Sequence, residues 1–307
     1  MPAFALAAST WSWPRTTPSR SPAMSPCSRP FTIVSVSLNS GPSGQRRGPR
    51  SHVIIRAMRT GLGCLALAAL VACGGTAASI GGAQRGRLSA RPHASTGQCG
   101  AGLHRLGLDR QRDAVLYVPE TSRARWPLLV LLHGAGGAPE RIVERLRPVA
   151  DAHAVILLAP ASRAATWDGI RGEPGVDAEG LDDALKAAFD RCPVDRRVGI
   201  GGFSDGASYA LTLGIANGDL FTHIIAFSPC VMSPSVERRG RPHVFIAHGR
   251  RDEILPFSQC GEALASRLQR DGYTVRFEPF DGPHTVPAAS ATAAFSWFIG
   301  TATQPRK

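Results

Sequence analysis

The sequence predicts an α/β protein, an open and mostly parallel sheet with helices on both faces in a three-layer sandwich. Three observations carry this. From about residue 114 to the C-terminus, short β-branched or leucine-rich runs alternate with stretches of helical period. The runs are continuously apolar, as strands covered on both faces must be. Helical stretches separate them, which is what parallel neighbours require of their connections. With 307 residues and 43% apolar content, the chain can bury one good-sized core, so a single domain is expected.

The chain begins outside that pattern. Residues 1–57 are rich in Pro, Ser and Arg and show no sustained period, so they are expected to be disordered, or to follow from a gene start placed too far upstream. From Met58 the text changes. Arg59 gives a positive start, Leu62 to Ala72 is an apolar run, and Cys73 follows Leu70-Val71-Ala72. These are the n-region and h-region of a secretory signal. The run is too short to span a bilayer, which takes about 20 residues. LVAC followed by Gly74 resembles the bacterial lipobox, in which the cysteine is lipidated and becomes the new N-terminus. Residues 58–73 are thus expected to be a lipoprotein-type signal, with Cys73 tying an exported protein to a membrane of the bacterial cell envelope. The alternative is an ordinary signal peptide and a secreted protein. Residues 74–98, mostly Gly, Ala, Ser and Arg, are expected to be a flexible tether, with the folded domain occupying 99–307.

Charge excludes one class of partner. The net charge is +12, but eight of the 35 Lys and Arg residues precede position 73, where no acidic residue occurs. That leaves 27 basic against 23 acidic residues, without a basic stripe interleaved with aromatics. No nucleic-acid partner is expected, and a monomer is.

Export also decides how the cysteines are read. With Cys27, Cys64 and Cys73 set aside, Cys99, Cys192, Cys230 and Cys260 remain, and an even count in an exported protein favours disulfides. Four cysteines allow three pairings, among which sequence alone does not choose. The preferred set is Cys99 with Cys192 and Cys230 with Cys260, because the latter two both follow strands at the same edge of the sheet. None has metal-ligand spacing, so no metal is expected.

Within the folded part, strands are expected at Ala114 to Val118, Leu128 to Leu132, Val155 to Ala159, Val198 to Gly201, His223 to Phe227, His243 to Ala247 and Val275 to Glu278. Helices are expected at Pro139 to Ala150, Leu181 to Arg191, Asp205 to Asn217, Ser258 to Asp271 and Pro287 to Ile299. Gly218 and Gly272 stand where a helix end favours left-handed backbone. Trp167 to Ala178 reads as a loop.

The sharpest feature is Gly202-Phe203-Ser204-Asp205-Gly206, between a buried strand and a helix. A serine hydroxyl is a weak nucleophile at neutral pH and needs both an adjacent base and an exposed position. Gly-x-Ser-x-Gly at a strand-to-helix turn supplies the exposure, and the helix N-terminus aims N–H groups at the reacting oxygen. The other parts follow in the order such a site requires. His133-Gly134-Ala135-Gly136-Gly137 ends a strand, where an oxyanion hole is expected from the N–H of Ala135, or as second choice Gly136, together with that of Asp205. Asp252 in HGRRDEILP supplies a carboxylate to orient an imidazole, with Glu253 the neighbouring rival. His284 in Asp281-Gly282-Pro283-His284 is the expected base, chosen from nine histidines by its place in the order. His133, His223 and His248 are expected to be structural.

These segments resemble the α/β-hydrolase superfamily, within it the polyhydroxybutyrate-depolymerase-like and phospholipase/carboxylesterase-like proteins. LLHGAGG, TWDG, GGFSDGASYAL, FSP, HGRRDEILP and DGPHT carry the likeness from about Leu116 onward. The resemblance implies an α/β-hydrolase fold, a triad of Ser204, Asp252 and His284, and Asp252 rather than Glu253 by its match to HGxxDxxxP. Cys230 after Ser228-Pro229 departs from the glycine expected in relatives, which makes a local disulfide plausible. The expected activity is hydrolysis of a small-molecule or polymeric carboxylic ester with no cofactor, and Trp167 and Met232 are expected to border the acyl pocket, with a core plug beneath its loop the equal alternative for Trp167. Two alternatives remain open: a serine peptidase on the same triad, and a non-catalytic cell-surface binding lipoprotein of the same fold.

Overall fold

The computed structural model describes residues 86–300 apart from Thr96 and Gln98. The expectations for residues 1–57, for the signal at 58–73 with Cys73, and for the first part of the tether lie outside the described residues.

Eight strands form one sheet: β1 (Gly102–Arg105), β2 (Val115–Val118), β3 (Trp126–Leu132), β4 (Ile156–Ala159), β5 (Val194–Phe203), β6 (His223–Phe227), β7 (His243–Gly249) and β8 (Val275–Phe280). Their order is β1-β2-β4-β3-β5-β6-β7-β8. β1 with β2 and β2 with β4 run antiparallel, and every other neighbouring pair is parallel. β2, β3, β4 and β6 are buried at every position, because helices cover both faces of the sheet.

The helices are α1 (Pro139–His153), α2 (Asp168–Arg171), α3 (Val176–Arg191), α4 (Asp205–Ala216), α5 (Ala263–Arg270) and α6 (Ala288–Gly300), with a π turn at Ser258–Glu262 leading into α5. One core face packs Leu181 and Leu185 of α3, Leu211 and Leu213 of α4, and Leu264 and Leu268 of α5 against alternate strand residues. The other packs Ile142, Val143 and Leu146 of α1 with Phe295 and Phe298 of α6. α1 starts on Pro139, whose missing N–H is no loss in a first turn, and stops at Ala154 in left-handed backbone with φ 50°. The expected three-layer architecture is therefore present.

Several details differ. Packed chain starts well before Cys99: Leu88 and Ala90 are 2% and 3% exposed and belong to the core. The segment lies along the body through polar contacts, with Arg87 paired to Asp219 by its two terminal guanidinium nitrogens at 2.7 and 2.9 Å and Arg91 on the same carboxylate at 2.5 Å. Asp182 accepts from the backbone N–H groups of Ser89 and Ala90, each at 2.7 Å. The described part of the expected tether, residues 86–95, is thus a docked strap and not a flexible linker. β1 stands where no element was expected, α2 lies within the stretch read as loop, and α3 begins five residues earlier than expected. Gly272 takes the left-handed backbone foreseen for it, with φ 81°, whereas Gly218 is required by close approach, since a Cβ there would lie 2.2 Å from the carbonyl oxygen of Arg239. Both preferred disulfides are formed, Cys99–Cys192 and Cys230–Cys260, with Cα atoms 4.9 and 4.2 Å apart.

Candidate active site

The connection that leaves β3 runs toward β4 and the one that leaves β5 runs the opposite way toward β6, so the C-terminal ends of β3 and β5 flank the switch point at which open α/β sheets bind ligands. The loops after β3, β5, β7 and β8 carry the residues singled out in the sequence.

Ser204 occupies the turn between β5 and α4 with φ 56° and ψ −122°, a combination that L residues rarely hold. Its N–H donates to the carbonyl of Phe227 at 2.9 Å, and its carbonyl accepts from the N–H of Ser208 at 3.1 Å. The turn is tight because of its glycines. A Cβ at Gly206 would stand 2.1 Å from the carbonyl oxygen of Leu132, and one at Gly202 would stand 2.6 Å from the same atom. The strain at Ser204 is thereby fixed between two close backbone crossings.

Asp252 and His284 are brought together by continuation of the β7–β8 pairing. The N–H groups of Arg250 and Arg251 donate to the carbonyls of Phe280 and Gly282 at 2.8 and 3.0 Å, so the two loops run side by side. His284 Nδ1 then lies 2.6 Å from Asp252 Oδ2. The other oxygen, Oδ1, accepts from the N–H groups of Ile254 and Leu255 at 3.0 and 2.8 Å. The Asp252 side chain is fully buried. Burial alone would raise its pKa, but the N–H of Leu255, then His284, then the N–H of Ile254 outweigh this and hold the carboxyl below its usual range. The His284 ring packs on Phe203, the residue before Ser204, with centroids 4.6 Å apart. Glu253, the rival to Asp252, is exposed.

The HG loop after β3 distinguishes the two expected oxyanion donors. The N–H of Gly136 donates to the carbonyl of Ala165 at 2.6 Å, so it is committed elsewhere. That of Ala135 has no backbone acceptor among the described residues, and Asp205 starts α4, where the first N–H groups have no partner within the helix. Gly134 passes close to the serine, since a Cβ on it would meet the Ser204 Cβ at 3.3 Å. His133 keeps this loop in shape. Its Nδ1 donates to the carbonyl of Gly134 at 2.8 Å while its Nε2 accepts from the N–H of Ser162 at 3.2 Å, and burial lowers its pKa.

Trp167 does not present itself to solvent as a pocket wall. It is fully buried, donates from Nε1 to the carbonyl of His133 at 2.8 Å and stacks on Tyr209 with centroids 5.5 Å apart. The indole is a plug beneath the HG loop, the second of the two roles expected of it and not the pocket border. Met232 is 7% exposed and packs in the core, so it too is no open wall.

Three positioning groups escaped sequence reading. Thr166 Oγ1 donates to Asp205 Oδ2 at 2.5 Å, linking the TWDG segment to the start of α4. Asp168 and Asp177 clasp each other's backbone, with Asp168 N–H on Asp177 Oδ2 at 2.8 Å and Asp177 N–H on Asp168 Oδ2 at 3.0 Å. Arg145 of α1 donates to Thr285 Oγ1 and the Val286 carbonyl at 2.9 and 2.8 Å, which ties down the residues after His284. The resemblance pointed to TWDG as a block, but nothing local in the sequence said which groups its side chains meet. Among the described residues no group of three or more His, Cys, Asp and Glu side chains is placed to hold a metal ion.

No family model and no curated protein sequence matches the chain. Solved structures do resemble it. Esterase PE8 superposes with a TM-score of 0.51 at 22% identity, over 59% of this chain and 95% of its own. An S-formylglutathione hydrolase from Agrobacterium tumefaciens gives a TM-score of 0.53 at 14% identity, over 67% of this chain and 99% of its own. The likeness establishes the fold, an α/β-hydrolase fold of eight strands.

Proposed function

We propose that the protein is a serine hydrolase of carboxylic esters, with Ser204 as nucleophile, His284 as general base and Asp252 as the group that orients the histidine. The observation that carries the reading is the strained Ser204 between β5 and α4 beside the ring pair of Phe203 and His284, with Asp252 bonded to that same imidazole at 2.6 Å. The strained serine is otherwise a destabilising feature without use.

In this mechanism His284 Nε2 accepts the proton of the Ser204 hydroxyl as Oγ attacks the ester carbonyl. Asp252 holds the Nδ1–H tautomer and balances the imidazolium that forms. The oxyanion of the tetrahedral intermediate accepts from the N–H groups of Ala135 and Asp205; each such donor contributes about 3 to 4 kcal/mol to transition-state stabilisation. The C–O bond to the alcohol breaks and the alkoxide leaves with the proton from His284, giving an acyl-enzyme. Water, deprotonated by His284, attacks that acyl group, and the carboxylic acid departs with Ser204 restored.

A fluorophosphonate probe is expected to label wild type and not Ser204→Ala. A short acyl p-nitrophenyl ester is expected to turn over much faster than a peptide anilide. The reverse preference supports a peptidase instead, and absence of labelling supports a binding protein that uses the fold without chemistry.

The proposal extends to location. Export with lipid attachment at Cys73, or secretion after ordinary processing, is supported by the apolar segment before that cysteine and by two disulfides, which persist in oxidising compartments. Expressed from Met58 in a bacterium, the protein is expected to incorporate labelled palmitate, and the Cys73→Ser form is not.

A further inference from the structure

Asp252 receives a second imidazole. His248, at the end of β7, has a fully buried side chain with Nε2 at 2.8 Å from the Leu255 carbonyl and at 3.2 Å from Asp252 Oδ2, the oxygen that also meets His284. The tautomer follows from what surrounds the ring. Nε2 faces two acceptors, whereas Nδ1 is buried without a partner and so carries no hydrogen. The ring is held from behind by Gly261, where a Cβ would stand 2.4 Å from Nδ1, and Phe257 meets it edge-on at 5.9 Å. Gly261 follows Cys260, which the bridge to Cys230 fixes to the loop after β6.

We infer that His248 is a positioning residue: as a neutral Nε2–H donor shared between Leu255 and Asp252, it aims Oδ2 at His284 and draws charge from it. The inference rests on the triad reading above and adds a fourth member to it. The Asp252 carboxylate would otherwise have only His284 to fix Oδ2, since its backbone donors both address Oδ1. Of the ionisable groups on the surrounding loops, Arg251 pairs with Asp281 at 2.8 Å among exposed side chains, Arg250 lies over Phe257, Glu253 is exposed, and Asp205 accepts from Thr166. The interaction with His248 is therefore the one buried polar contact to Oδ2 from outside the triad among the described residues.

Removing this donor leaves Oδ2 more basic and stabilises the imidazolium of the base, which moves the acid limb of the pH–rate profile upward. In the full chain, His248→Phe is expected to lower kcat about tenfold or more with little change in KM, as loss of an outer hydrogen-bond partner commonly does. The acid limb should rise by roughly half a unit or more. His248→Gln, whose Nε2 reaches the same place, is expected to restore most of the rate and the profile. If His248→Phe keeps the wild-type kcat and profile, or if His248→Gln loses rate equally with no movement of the limb, the inference is overturned while the triad stands. Failure of wild type to label with fluorophosphonate overturns the triad instead. Should the His248 variants not fold, nitrogen-15 spectra of wild type and Asp252→Asn decide: a neutral Nε2–H His248 in wild type whose proton shifts in Asp252→Asn is expected, and an Nδ1–H tautomer or an unmoved resonance refutes it.

Discussion

Ser204 is held with φ 56° between two backbone crossings that leave no room for a methyl group, so the elbow depends on residues that perform no chemistry. Gly206→Ala puts a Cβ 2.1 Å from the Leu132 carbonyl oxygen, between elements with nowhere to move. The expected result is destabilisation by about 3 kcal/mol or more, the size seen when a special backbone position is overfilled. Urea denaturation measures it, and an Ala variant as stable as wild type would mean that the turn is looser than described. Asp252→Asn tests the opposite kind of dependence. The amide keeps the shape but presents the wrong partner to His284, and kcat is expected to fall by about 10³ to 10⁴ while the melting temperature changes little. At this scale the sequence was legible where a motif has a compulsory neighbour: Gly-x-Ser-x-Gly announces an elbow, and HGRRD announces a carboxylate after a strand. Trp167 was not. An indole in a Gly- and Pro-containing loop has the same local text whether it lines a cleft or plugs a core, and only the carbonyl of His133, 34 residues away, decides.

Strands and helices were readable in proportion to how much of their stabilisation is local. Buried runs such as Leu128 to Leu132 carry their own pattern, and β3 extends the run by only two residues at its start. β1 alternates intermediate and exposed positions over four residues and pairs only with β2, so it offered no apolar run to find. The strap at residues 86–95 is the sharpest case. It contributes two buried apolar residues, Leu88 and Ala90, and is otherwise held by Asp182, Asn217 and Asp219, more than 90 positions away in sequence. Its composition resembles a linker because its partners are elsewhere. Asp219, with two arginines on it, is held well below the usual carboxylate range, chiefly by its hydrogen bond to Arg87. Because these groups are partly exposed, the ion pairs themselves contribute modestly. Loss of the whole strap also exposes Leu88, Ala90 and the core surface they cover. A chain starting at residue 96 is expected to be about 2 to 4 kcal/mol less stable than one starting at residue 80. Asp219→Ala alone should account for about 1 kcal/mol or less. Equal stability of the two chains would show that the strap adds nothing to the fold.

For the whole molecule, the two ends of the parallel strands carry different kinds of histidine. At the C-terminal ends, His284 is partly exposed and bonded to a carboxylate. At the N-terminal ends, His223 begins β6 beside His243 of β7, with ring centroids 5.3 Å apart, and Trp297 and Phe298 of α6 close over it. His223 Nδ1 meets Thr222 Oγ1 at 2.8 Å, while its Nε2 is buried with no acceptor. Adding a proton there would bury a charge and an unpaired donor together. Burial first, then the neighbouring His243 and Arg197, push the His223 pKa down to about 3 from its ordinary 6.5. Between those values the unfolded chain binds a proton that the folded chain refuses, so stability increases with pH through that window. The stabilisation is complete above about pH 6.5 and is lost progressively as the pH falls toward 3. The span corresponds to on the order of 3 to 5 kcal/mol. His223→Phe keeps the ring packing against Trp297 and Phe298 and removes the titration. It should flatten the dependence of unfolding free energy on pH between 4 and 6.5, measured by urea titration at each pH, with little change at pH 8. A slope unchanged in His223→Phe would assign the acid sensitivity to other groups, and a large loss at pH 8 would mean that the imidazole contributes to packing in a way a phenyl ring does not reproduce.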